Sequence, residues 1–97
     1  MSLPDKLTIC GFTYEIKIVD RVDDESSLGS CNVGAQLILI NELAQGKMKL
    51  CTLIHEIIEA INYHYGVDLK HRQITALDHA LLQVIVDNMK EIKKLMS

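Results

Sequence analysis

Aromatic residues, prolines and paired cysteines are scarce in this sequence. It has no tryptophan, a single phenylalanine and a single proline, and its three cysteines form no Cys-x-x-Cys pair. An odd number of widely spaced cysteines suits neither a disulfide framework nor a thiolate zinc knuckle, and it is typical of free thiols in a reducing cytosol. We therefore expect a cytoplasmic protein in which Cys10, Cys31 and Cys51 are small buried side chains.

Long apolar runs and a basic face are also lacking. No run approaches the roughly 18 residues of a membrane span. The N-terminal segment MSLPDKLTIC lacks the basic and apolar parts of a signal peptide. The formal net charge is -3, and the basic residues are scattered except for Lys90, Lys93 and Lys94. We predict neither a membrane partner nor a nucleic-acid partner, so a helical nucleic-acid-binding module is the least favoured hypothesis.

The first half of the chain has the pattern of strands and turns. The 97 residues, 48% of them hydrophobic, suit one domain over 1–97. In FTYEIKIVD apolar and polar residues alternate, which predicts a half-buried strand, with LTICG before it as a short partner and QLILI as a further strand. The acidic segment 20–30 lacks the spacing of a calcium loop, and we predict a solvated loop. Asn41 is expected to cap a turn that ends near Gly46.

The second half is predicted to form two helices. Residues 47–65 are apolar around most of the circumference, as in a buried helix, and Gly66 is a natural end for it. A second helix is predicted over about 73–95. One stripe of it, apolar except for Asn88, comprises Ile74, Leu77, Leu81, Val84, Ile85, Asn88 and Ile92. Strands followed by helices indicate an α+β fold, with both helices on one face of a small antiparallel sheet.

The first helix contains the stretch TLIHEIIEAIN, which places polar groups inside an apolar segment. His55 and Glu59 are four residues apart and therefore share one side of the helix. Burying an imidazole and a carboxylate is costly unless a metal ion, a mutual hydrogen bond or an open cleft satisfies them.

Two such groups one turn apart can hold a single Zn²⁺, and the residue after the first ligand then points toward the activated water. In this scheme His55 and Glu59 are ligands and Glu56 is the general base. A third ligand is expected from the second helix, where His71, Thr75, Asp78 and His79 form a polar side; His71 or His79 would complete a set of two histidines and one carboxylate. His64 lies too far along the first helix for the same ion.

Two longer segments, LILINELAQGKMKLCTLIHEIIEAI and HRQITALDHALLQVIVDN, resemble small phage- and prophage-encoded minigluzincin-like zincin metallopeptidases. The resemblance covers roughly residues 29–88. It implies a zincin-like fold, a zinc ion, and a peptide substrate that binds along an edge strand within 31–40.

The chain departs from that family's pattern at two positions. Glu59 stands where the second histidine of the motif belongs, so that HExxH becomes HExxE, and the third-ligand glutamate of the family falls on Thr75. His71 lies one turn before Thr75. The resemblance implies His55 as the first ligand and Glu56 as the catalytic base. Together with the spacing, this gives our first hypothesis, a phage-derived peptidase with His55, Glu59 and His71 as zinc ligands. The alternative is a catalytically inactive zincin-fold protein with a binding or regulatory role.

Overall fold

The computed structural model describes residues 3–22 and 27–97 and confirms a mixed α+β architecture. The elements are β1 (Lys6–Ile9), β2 (Phe12–Val19), β3 (Gly29–Asn32), β4 (Leu37–Asn41), α1 (Lys47–Tyr65), α2 (His71–Asp87) and α3 (Met89–Leu95). A four-stranded sheet is thus followed by helices, as the order of patterns predicted.

The sheet is mixed, and the prediction of a purely antiparallel sheet was wrong. Its strand order is β1-β2-β4-β3, and β2 and β4 run parallel, with Ile16 opposite Ile38. The chain leaves β2, forms β3 at the outer edge and returns through a tight turn as β4. This path supplies the crossover that a parallel pair requires. Alternation in a sequence identifies strands but carries no information about their direction.

The predicted loop over 20–30 is shorter than expected. Gly29 and Ser30 already belong to β3, where they pair with Ile40 and Leu39. Residues 23–26 of that loop lie outside the described residues.

The core lies between the sheet and α1. It contains Tyr14, Ile16, Ile38, Ile40, Leu53 and Ala60, all buried. The alternation in β2 correctly placed Tyr14 and Ile16 inside, whereas Phe12 and Ile18 at the ends of the pattern are about half exposed. Burial on most sides of α1 confirms the prediction of a buried helix.

The boundaries of α1 agree with the sequence pattern. The Asn41 side chain accepts a hydrogen bond from the Leu43 amide at 2.8 Å and closes the predicted turn before the helix. Gly66 ends the helix in the left-handed conformation, with φ of 60°. A residue without Cβ adopts that conformation at little cost, which explains the stop.

The predicted second helix, 73–95, is divided in two at Asn88. The Asn88 side-chain amide donates to the Val84 carbonyl at 2.9 Å, and the Asn88 backbone leaves the helical region, with φ of -126° and ψ of 22°. A side chain that competes for a backbone acceptor weakens the helix at that point. A helical apolar stripe does not report such a break.

α1 covers the sheet, whereas α2 packs on α1. The prediction that both helices lie on one face of the sheet was therefore wrong. Ile74 of α2 is fully buried against Ile54 and Ile58, with Leu82 and Ile85 beside them. Leu77, Leu81 and Val84 from the predicted stripe are instead partly exposed. No helix in the described part of the chain is long and apolar enough to cross a membrane.

Gly29 allows β3 to lie close to α1, and this contact gives a test of the packing. A Cβ at Gly29 would lie 2.7 Å from Cγ2 of Thr52 and 2.9 Å from Oε2 of Glu56. We expect Gly29→Ala to lower the free energy of unfolding by about 1–3 kcal/mol, as overpacking does, measured by denaturant titration. Gly34→Ala is the matched control, because its Cβ would have Oδ1 of Asn32 at 3.5 Å as its nearest neighbour. Equal effects of the two substitutions would contradict the close approach.

Candidate metal centre

A cavity of about 480 Å³ lies between the start of β3 and the facing sides of α1 and α2. Six of the side chains that line it carry chemistry. They are Cys51, His55 and Glu56 from α1 and His71, Asp78 and His79 from α2. Cys51 and His55 are one turn apart on α1, and His71, Thr75 and His79 are spaced by one turn on α2, so each helix turns a polar side toward the other.

Asp78 stands at the centre of this arrangement. Its side chain is 4% exposed. Oδ2 lies 2.7 Å from Nδ1 of His55, while Oδ1 lies 2.5 Å from Nδ1 of His79 and accepts from the Cys51 thiol at 3.3 Å. Hydrogen bonds from His55 and Cys51 and the ion-pair contact with His79 thus satisfy a carboxylate that burial would otherwise destabilise strongly.

The two candidate histidine ligands meet at the cavity. The rings of His55 and His71 have their centroids 5.2 Å apart, at an interplanar angle of 62°. Because His55 uses Nδ1 for Asp78, its Nε2 is the nitrogen left for another partner. His71 is thus the histidine of α2 whose ring lies beside that of His55; that the two bind a metal stays a prediction.

Glu56 is buried beside the cavity and is 6% exposed. Burial raises the pKa of its carboxyl to about 7; the charges of Glu59 and Asp78 add to the increase, and His55 opposes it. The predicted general base therefore lies next to the predicted first ligand.

Glu59 does not line the cavity that His55 and His71 share. It lies near β3, where its charge, after burial and Glu56, helps to raise the pKa of the Cys31 thiol to about 11. The cavity is thus lined by His55, His71 and Asp78, and not by Glu59. The assignment of His55, Glu59 and His71 as zinc ligands stays a prediction.

A different group has the closest spacing of potential metal ligands in the described part of the chain. Cys51, Asp78 and His79 each offer one ligand atom, and these atoms lie within 4.8 Å of one another. The sequence interpretation treated Cys51 as a small buried residue and gave Asp78 no part in the chosen set. The available signal was spacing, since Cys51 lies one turn before His55.

His64 lies away from the cavity, in agreement with its exclusion. Its Nε2 is 2.6 Å from the hydroxyl of Tyr14, and its ring stacks on Phe12 with centroids 4.5 Å apart. It therefore connects the end of α1 to β2.

Comparisons with models of protein families, with curated proteins and with solved structures find no match to this chain. Its function is therefore argued from the geometry of the cavity.

Burial of Glu56 makes the stability of the metal-free protein depend on pH. The unfolded carboxyl titrates near its ordinary value of 4.5 and the folded one near 7. Stability is therefore highest below the unfolded pKa and falls as pH rises toward 7, because the buried carboxylate must then be charged. The measured quantity is the free energy of unfolding of Glu56→Gln minus that of wild type. We expect this difference to be larger at pH 8 than at pH 4 by on the order of 2–3 kcal/mol.

This difference is measured by denaturant titration in the presence of a chelator. Glu42→Gln, at an exposed position in the turn after β4, is the control and should give the same difference from wild type at both pH values. A Glu56→Gln difference that is independent of pH would contradict the burial of this carboxyl.

Proposed function

We propose that the protein is a zinc-dependent, metallopeptidase-like hydrolase with a variant metal site. The observation that carries the proposal is the meeting of His55 and His71, from two different helices, at a cavity that the buried Glu56 also lines. The resemblance to phage-encoded minigluzincin-like zincins agrees with this arrangement at His55 and Glu56.

The donors at the cavity suit zinc by type. Two imidazoles and a carboxylate form a common catalytic zinc set that leaves a fourth position open. Glu59 is the carboxylate that the helical spacing predicts, and Asp78 is the one that lies beside His55. If Glu59 is the ligand, Asp78 would orient His55 by accepting its Nδ1–H, which leaves Nε2 to bind the ion.

Proton transfer is the role that we assign to Glu56. A bound zinc ion would supply Lewis-acid activation of water. Glu56 follows His55 in α1 and lines the same cavity, so its carboxylate is placed to accept a proton there and return it to a leaving amine.

The substrate we propose is an extended peptide that adds to β3. This strand pairs with β4 on one side and is at the edge of the sheet on the other, and Gly29 at its start lines the cavity. An exposed edge offers backbone groups to a peptide strand. Within the segment 31–40 that was predicted to bind the peptide, we propose Cys31 and Asn32 of β3 as the binding residues, because β4 lies inside the sheet.

A catalytically inactive zincin-fold protein is the second candidate. It is favoured by the position of Glu59 outside the cavity and by Thr75, which lines the cavity where the family's third-ligand glutamate falls. Such a protein would keep the edge strand for binding and would lack hydrolysis.

Zinc content tests the metal site. We expect tag-free protein carrying Cys51→Ser, which removes the thiol that lines the cavity, to bind one zinc per chain. His55→Ala and His71→Ala should each weaken binding at least tenfold, since each removes a ligand. His64→Gln is the control and should retain zinc. Comparing Glu59→Gln with Asp78→Asn identifies the carboxylate ligand. Absence of zinc after reloading would overturn the proposal.

Peptide hydrolysis tests the role of Glu56. Incubation of the zinc-loaded protein with an unfolded protein substrate should yield new amino termini, which are counted by a fluorogenic amine reagent. Glu56→Gln should keep the zinc and reduce the rate at least a hundredfold, as loss of a general base does. Zinc binding without hydrolysis in wild type would favour the inactive zincin-fold protein.

A further inference from the structure

The two oxygens of Asp78 serve different groups. Oδ2 faces His55, which belongs to the proposed zinc site. Oδ1 faces Cys51 and His79, neither of which has a role in that site. The carboxylate therefore divides the polar residues between α1 and α2 into two sets.

The second set has the composition of a metal site. A thiolate, a carboxylate and an imidazole are each zinc ligands, with bonds of about 2.0–2.3 Å. The ligand atoms of Cys51, Asp78 and His79 lie within 4.8 Å of one another, so small side-chain movements would bring them around one ion. A thiolate in the set favours softer ions such as Zn²⁺ and Co²⁺ over Mg²⁺ and Ca²⁺.

The supports of these side chains differ in a way that suits metal entry. Cys51 and Asp78 are buried and fixed by the packing of α1 on α2. The His79 side chain is 67% exposed, and its Nδ1 also lies 2.8 Å from the Thr75 carbonyl. Two of the proposed ligands are thus held in place by packing, and the third, His79, is exposed and would bind the ion from the solvent side.

We propose that Cys51, Asp78 and His79 form a second site, which binds one soft divalent transition-metal ion and links α2 to α1. Cys51 binds as the thiolate, so that its S–H bond breaks, a sulfur–metal bond forms and the proton passes to solvent. No group is oxidised or reduced. Asp78 is a candidate ligand of the hydrolase site as well, but Cys51 and His79 are absent from that ligand set, so the second site does not rest on the proposed hydrolase.

Cobalt is the probe that separates this site from the first, because a thiolate ligand gives a near-ultraviolet charge-transfer band that imidazole and carboxylate ligands do not. Reduced, metal-free, full-length protein is titrated with Co²⁺. We expect the band to saturate at one ion per chain. It should be lost in Cys51→Ser and Cys51→Ala and be retained in Cys10→Ser, which changes a half-buried cysteine outside the cavity.

His79→Ala guards against a folding artefact, because this exposed side chain contributes little to packing. We expect His79→Ala to weaken the affinity for Co²⁺, measured from the charge-transfer band, at least tenfold, as loss of one ligand does. Unchanged affinity in His79→Ala, or no band in wild type, would overturn the second site.

The number of ions distinguishes this proposal from the hydrolase. Two ions per chain with the band would support both sites. One ion with a band that survives His71→Ala and Glu59→Gln would support the second site and overturn the first. One ion without the band would support the first site and overturn the second.

Discussion

The buried carboxylate of Asp78 is the constraint on which the cavity depends. A carboxylate between two packed helices is costly unless polar partners surround it. Here His55 and Cys51 of α1 donate hydrogen bonds to it, and His79 of α2 lies at ion-pair distance. Asp78 thus brings His55, Cys51 and His79 around one carboxylate.

The position of α1 between two different neighbours explains how its polar residues are distributed. Four residues are slightly more than one helical turn, so Glu59 is rotated by about 40° from His55 in one direction and Cys51 by the same angle in the other. The first rotation carries Glu59 toward β3, near Cys31, and the second carries Cys51 toward Asp78 of α2. The spacing in HExxE is therefore compatible with a shared side of the helix while the two residues face different elements.

The same geometry shows how much could be read from the sequence. The ends of α1, the turn at Asn41 and the inward residues of β2 follow from local patterns, and the structure has them as predicted. The parallel pairing of β2 with β4 and the break at Asn88 depend on chain direction and on a side chain that competes with the backbone, which apolar periodicity does not encode. His55 and Glu56, which spacing singled out, both line the cavity, but the element opposite each side of α1 decides which of Cys51 and Glu59 enters it.

The second helix lacks a carboxylate at the position where the zincin pattern that the sequence resembles has one, but it carries another carboxylate nearby. The glutamate that the pattern expects on the second helix falls on Thr75, while Asp78 lies three residues further along the same helix, a rise of about 4.5 Å. A carboxylate from α2 is thus present in the cavity, displaced along the helix axis toward Cys51. At this position the carboxylate lies near the thiol of Cys51 and the imidazole of His79, which are the other members of the second site that we propose.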